Sequence, residues 1–143
     1  MHLDPLDKII CSIKSEHSKK YAVIDECDDP LGGGPADGTY ILDKLIEGGI
    51  NKIGVSTISD REITEKAFAA GEGAVIKGLL GGKTDNKHGR PLPITAVVTK
   101  LICKPIPMCE ANGEEFADYG ETYTDYGRIA VISTDQADIV VTE

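Results

Sequence analysis

A chain of 143 residues with 41% apolar content fits one domain that buries a real core. Its net charge of −9, with no basic stripe, argues against nucleic acid or an anionic membrane as partner. No apolar run reaches the roughly 20 residues that span a bilayer, and MHLDPLDKIIC lacks the order of a secretion signal, so the expected compartment is cytoplasmic.

Asp4-Pro5 reads as a helix start, with Asp as cap and Pro in the first turn. Leu6, Ile9, Ile10 and Ile13 then fall on one face, and the polar run from Lys14 to Lys20 ends the helix. Tyr21–Asp25 is predicted as a first strand, apolar until its closing acid. A glycine loop follows, then a helical pattern from Gly38 carrying Tyr40, Ile41, Leu42, Leu45 and Ile46, stopped by Gly48-Gly49. Lys52–Ile58 reads as a second strand. Asp60 caps the next helix, which carries Ile63, Ala67, Phe68 and Ala70 and stops at Gly71. Ala74–Leu80 is a third strand, closed by Gly81-Gly82-Lys83. Strands alternating with helices of about ten residues predict βαβ crossovers and a partly parallel sheet.

Beyond Pro91 no helical period recurs. Ile94–Cys103, Arg128–Ile132 and Asp138–Thr142 read as strands, and Lys104–Tyr126, with Tyr119, Tyr123 and Tyr126, as a loop or hairpin region. The expected fold is a mixed α/β sheet, with a βαβαβ first half followed by antiparallel strands. Residues 1–143 form one domain in this reading. The last apolar strand is followed at once by Glu143, so the chain is expected to be a piece of something longer.

The stretch with most chemistry is Val23–Thr39, VIDECDDPLGGGPADGT, where an apolar run meets four acids and three consecutive glycines before a helix. Such a turn tends to leave amides free on its concave side, and the positive end of a helix dipole adds to them, so an anionic group suits it. A tight strand-to-helix connection needs the same residues. Nucleotide binding is disfavoured, because no Gly-Lys-Ser/Thr ending and no Gly-x-Gly-x-x-Gly occurs at this turn. The four cysteines contain no CxxC pair, so reduced, partly buried thiols are expected. Cys27 has no local histidine base, and His88, in the turn-rich run Thr84–Arg90, reads as a solvated loop residue. His17 reads as surface, and His2 is terminal.

The run Asp28-Asp29-Pro30-Leu31-Gly32-Gly33-Gly34-Pro35-Ala36-Asp37-Gly38-Thr39 resembles the Asp-Asn-Pro-Gly-Gly-Gly…Asp-x-Thr signature of the C-terminal domain of microcystinase C (MlrC)-like metallopeptidases. Further blocks keep that family's order: Ser59-Asp60, Ala67–Ala74, Leu80–Lys83, Gly89-x-Pro91-Leu92, Tyr126-Gly127-Arg128 and Val140-Val141-Thr142. Asp29 stands where the family carries Asn, and Leu31 where its first glycine falls, with Gly34 restoring the run of three.

The resemblance implies a zinc peptide hydrolase whose metal is bound by an N-terminal domain, with no metal ligand and no catalytic residue in this chain. It implies a substrate-binding role for Asp28, Gly32, Gly33, Gly34, Asp37 and Thr39, as a wall of the cleft between domains. Loop amides would hold a carboxylate or carbonyl of a linear peptide-like substrate, Asp28 would orient the loop, and Thr39 would cap the helix or meet the ligand. Asp37 is equally well placed as the N-cap of that helix. The alternative is a stand-alone α/β module that binds a small ligand or a protein without chemistry.

Overall fold

The computed structural model describes residues 5–16, 18–104, 106–107, 123–124 and 127–143. Three helices and a five-stranded mixed sheet give the mixed α/β class that the sequence predicts. Helix α1 spans Leu6–Ser15, with Pro5 at the cap position and Asp4 outside the described residues. Its predicted stripe of Leu6, Ile9, Ile10 and Ile13 is half-buried, whereas Lys8, Cys11, Ser12 and Lys14 face outward. Lys14 Nζ donates to the Gly48 carbonyl at 3.0 Å, placing a cation at the end of helix α2, Tyr40–Glu47. Helix α3, Arg61–Ala70, begins on Asp60, whose carboxylate accepts the Ile63 amide at 3.1 Å.

The strands are β1 (Ile53–Ser59), β2 (Val75–Leu80), β3 (Leu92–Ile102), β6 (Ile129–Ser133) and β7 (Ala137–Thr142). A separate short ladder joins β4 (Ile106–Pro107) to β5 (Tyr123–Thr124), inside the region read as loop or hairpin. The rest of that region, including Tyr119 and Tyr126, lies outside the described residues. The sheet order is β1-β7-β6-β3-β2, and of its pairings only β1·β7 is parallel. Along the strands every second residue turns inward: Leu92, Ala96 and Val98 of β3 are buried while Pro93, Thr95 and Val97 are exposed. The buried side meets Leu42 from α2 and Ile63 and Ala67 from α3, forming one core. No described helix is long and apolar enough to cross a membrane.

Three details depart from the sequence-based expectation. Tyr21–Asp25 joins no ladder; Tyr21 is bonded to α1, and Asp28, just beyond the run, to the glycine loop. The crossover β1–α3–β2 does not link parallel neighbours, since β1 and β2 occupy opposite edges and β2 folds back antiparallel onto β3. Helix α2 starts at Tyr40 rather than Gly38, with Thr39 (φ −120°, ψ −6°) still outside the helical conformation. The last strand, β7, is interior, flanked by β1 and β6.

Leu80 is fully buried at the end of β2. Leu80→Ala should cost about 2–5 kcal/mol, read as a lower urea midpoint at unchanged slope. A loss below about 1 kcal/mol would show that the core refills the space.

Candidate functional site

Four aspartates, Asp28, Asp29, Asp37 and Asp60, build the loop cluster. The Asp28 carboxylate accepts the amides of Ala36 at 2.8 Å and Gly38 at 2.5 Å, folding the loop back on itself. The Asp29 carboxylate takes the Leu31 amide at 2.9 Å, and its carbonyl takes those of Gly32 and Gly34 at 3.0 and 2.8 Å. The Gly33 amide donates to the Pro30 carbonyl at 3.2 Å. All three glycine amides are therefore engaged within the turn, so the cradle of free amides expected from sequence is not what this loop presents. The backbone carbonyls of Asp29 and Pro30 capture them, while the Asp29 side chain closes an Asx turn on the Leu31 amide. What faces outward is the bare glycine backbone and Leu31, which is 97% exposed. A Cβ at Gly34 would lie 2.8 Å from the Asp28 carbonyl carbon, so this position has no room for a side chain.

Asp37 is buried and does not cap α2. Its Oδ2 accepts the amides of Lys83 and Thr84 at 2.8 and 2.9 Å, and its carbonyl takes the Gly82 amide at 2.6 Å. Asp37 Oδ1 is buried without a partner among the described residues. Thr39 holds the cap position but makes no cap bond. Its hydroxyl donates to the Arg90 carbonyl at 2.7 Å and accepts the Arg90 amide at 3.1 Å. The first amides of α2, from Thr39 and Tyr40, both donate to the His88 carbonyl.

Asp60 completes the cluster. Besides capping α3, it accepts the Gly81 amide on Oδ2 at 2.8 Å and the Lys83 ammonium on Oδ1 at 3.0 Å. Lys83 also pairs with Glu62 at 3.0 Å. Burial pulls the Lys83 ammonium down, but its bonds to Asp60 and Glu62 outweigh that and leave it raised. Hydrogen bonds from Lys83 and Lys66 hold the Glu62 carboxyl below its ordinary value. Gly81 leaves no room for a side chain: its φ is +51°, and a Cβ there would lie 2.6 Å from the Asp37 carbonyl oxygen. The ends of the two outer strands, β1 and β2, thus meet through this turn, and the Ala36 carbonyl takes the Ser59 amide to bring the glycine loop to the same place.

The structure brings Asp28, Gly32, Gly33, Gly34, Asp37 and Thr39 into one loop and joins them to residues that the sequence reading did not include. Lys83 and Arg90 are the main additions; only the block order Gly-Gly-Lys and Gly-x-Pro pointed toward them. His88 differs from its expected solvated state. Its side chain is 18% exposed, and Nδ1 lies 3.0 and 3.1 Å from the two Asp85 oxygens. The Lys87 amide first, with the His88 amide and ring, overcomes desolvation to hold the Asp85 carboxyl below its usual range. Cys11, Cys27 and Cys103 are free and exposed rather than partly buried, while Cys109, His2 and His17 lie outside the described residues.

Among the described residues, no group of three or more His, Cys, Asp or Glu side chains is arranged to hold a metal ion. The carboxylates of Asp28, Asp29, Asp37 and Asp60 each accept backbone amides. The one buried oxygen left over, Asp37 Oδ1, has no set of further ligands around it, so the described residues do not fit a zinc site.

The family model described as the MlrC C-terminus matches residues 23–143. The chain belongs to this family. The matched span takes in every loop of the cluster. Among solved structures, a candidate metallopeptidase from Mesorhizobium sp. BNC1 superposes with a TM-score of 0.80 at 23% identity, over 99% of this chain. This MlrC C-terminal chain spans 27% of that protein's length. No curated protein matches it.

Gly34→Ala should destabilise by about 1–3 kcal/mol, whereas Gly32→Ala, with only ordinary contacts at 3.8 Å or more, should stay within about 0.5 kcal/mol. Equal effects in chemical denaturation would contradict the loop geometry. A lowered Asp85 pKa contributes stability that is complete above the unfolded value of about 3.9 and is lost as pH falls through the folded value. A carbon-13 titration of the Asp85 carboxyl should therefore find its midpoint below about 3.9; one at or above it would mean the turn's hydrogen bonds do not persist in solution.

Proposed function

We propose that this chain forms a wall of the substrate cleft in an MlrC-type metallopeptidase that hydrolyses linear peptide-like amide bonds. The zinc belongs to an N-terminal domain outside these 143 residues. The observation that carries the reading is the family match over 23–143, which embraces the acid–glycine loop and the two turns bonded to it. In this reading Asp28, Asp37 and Thr39 are positioning residues. They act through the backbone they hold, and Gly32, Gly33 and Gly34 offer a surface that a substrate backbone approaches closely. Because the glycine amides donate inside the turn, the loop supplies shape and the apolar tip of Leu31 rather than an anion cradle. Binding and orienting the substrate is this chain's share; the hydrolytic chemistry belongs to the metal-bearing domain.

A second reading, a free-standing module that binds a small ligand or a protein without chemistry, draws on the open groove of about 1540 Å3 beside β1. The two separate in one experiment. The purified chain is assayed with zinc against a panel of linear peptides, alone and after addition of the metal-bearing domain of a full-length relative. Hydrolysis is expected only in the mixture, and Gly34→Ala should lower kcat/KM by about tenfold or more through displaced positioning. Hydrolysis by the chain alone would refute this division of labour. An inactive mixture, with the chain still binding a small ligand by calorimetry, would favour the second reading.

A further inference from the structure

Tyr21–Ile24 has the composition of a strand, yet it joins no ladder, and Ile24 is 79% exposed. Strand β1 pairs with β7 along one edge, and its other edge ends the sheet. Residues 21–25 and 53–57 line the same open groove of about 1540 Å3.

The two runs also point the same way. At its start, Tyr21 Oη donates to the Ser12 carbonyl of α1 at 3.1 Å, and α1 is bonded through Lys14 to Gly48, just before β1 begins. At its far end, Asp28 accepts the Ala36 amide, and the Ala36 carbonyl takes the Ser59 amide where β1 finishes. The run is pinned at both ends beside a strand of similar length and is unpaired between the pins.

We infer that residues 21–25 are a latent sixth strand that docks in parallel on the open edge of β1, giving the order (21–25)-β1-β7-β6-β3-β2. Helix α2 is then the connection that a parallel neighbour pair requires, in a right-handed βαβ unit. Since both ends are already held, docking closes only a short free span and sacrifices little chain entropy. It takes the β1 edge and Ile24 out of water and narrows the groove. Docking also sets the acid–glycine loop at the carboxyl ends of three adjacent parallel strands, where open α/β sheets place their ligands. The strap therefore controls how firmly that loop is held, and this inference stands whether or not the domain takes part in peptide hydrolysis.

The test is NMR on the labelled chain. Cross-strand proton contacts between residues 22–24 and 54–56 are expected, with alternate amides of 22–24 exchanging at least about tenfold slower than free chain. Val23→Pro removes an amide and the strand geometry. It should speed exchange of the groove-facing amides of β1 by about tenfold while leaving β3 and β6 unchanged. Free-chain exchange at 22–24 without cross-strand contacts would overturn the inference. So would protection of β1 that rises with protein concentration, which would assign the edge to a second copy. If Val23→Pro does not fold, the contacts in the unaltered chain decide alone.

Discussion

Carboxylates bonded to backbone amides hold this domain's loops in place. Asp28 gathers Ala36 and Gly38, Asp37 gathers Lys83 and Thr84, and Asp60 gathers Ile63 and Gly81. Each bond has a charged acceptor, worth about 1.5–3 kcal/mol rather than the roughly 1 kcal/mol of a neutral one. The loops need such acceptors because glycine-rich backbone outside the sheet has no ladder to satisfy its N–H groups. A chain with net charge −9 has acids in excess, and several of them serve here as substitutes for secondary structure.

These aspartates also close the sheet at one corner. β1 and β2 lie at opposite ends of the strand order, but Gly81 reaches Asp60, and Lys83 adds an ammonium to the same carboxylate. Burying Asp60 would be costly without the cap, the amide and the cation together. Asp37 leaves one buried oxygen without a partner among the described residues, which marks it as the least satisfied member of the set. The corner thus joins a helix start, two loop turns and two strand ends through side chains far apart in sequence.

The same economy explains why the glycine loop offers shape instead of an anion site. Asp29 and Pro30 wind Pro30–Gly32 into a short helical turn, and that winding consumes the amides of Gly32, Gly33 and Gly34. At the start of α2, the His88 carbonyl takes two more amides, those of Thr39 and Tyr40. Asp85 meanwhile steadies the His88 ring through Nδ1. Free backbone N–H groups are therefore scarce at this surface.

Local periodicity in the sequence was enough for the helices. The three-four spacing of Leu6, Ile9, Ile10 and Ile13, the α2 stripe of Ile41, Leu42, Leu45 and Ile46 and the Asp60 cap appear where expected, because each depends on residues within a turn or two. Tyr40 of the expected stripe, by contrast, is exposed. The five strands of the main sheet were readable within a residue or two because they too rest on local pattern, and the ordered motif blocks sufficed for the family. The tertiary structure alone decided that β7 lies between β1 and β6, that Tyr21–Asp25 stands outside the sheet, and that Asp37 serves Lys83 and Thr84 rather than its own helix. Those outcomes depend on partners beyond the local turn, 46 and 47 residues away in the case of Asp37. A carboxylate's sequence neighbours show which amides it is able to reach, but only chain closure shows which amides arrive.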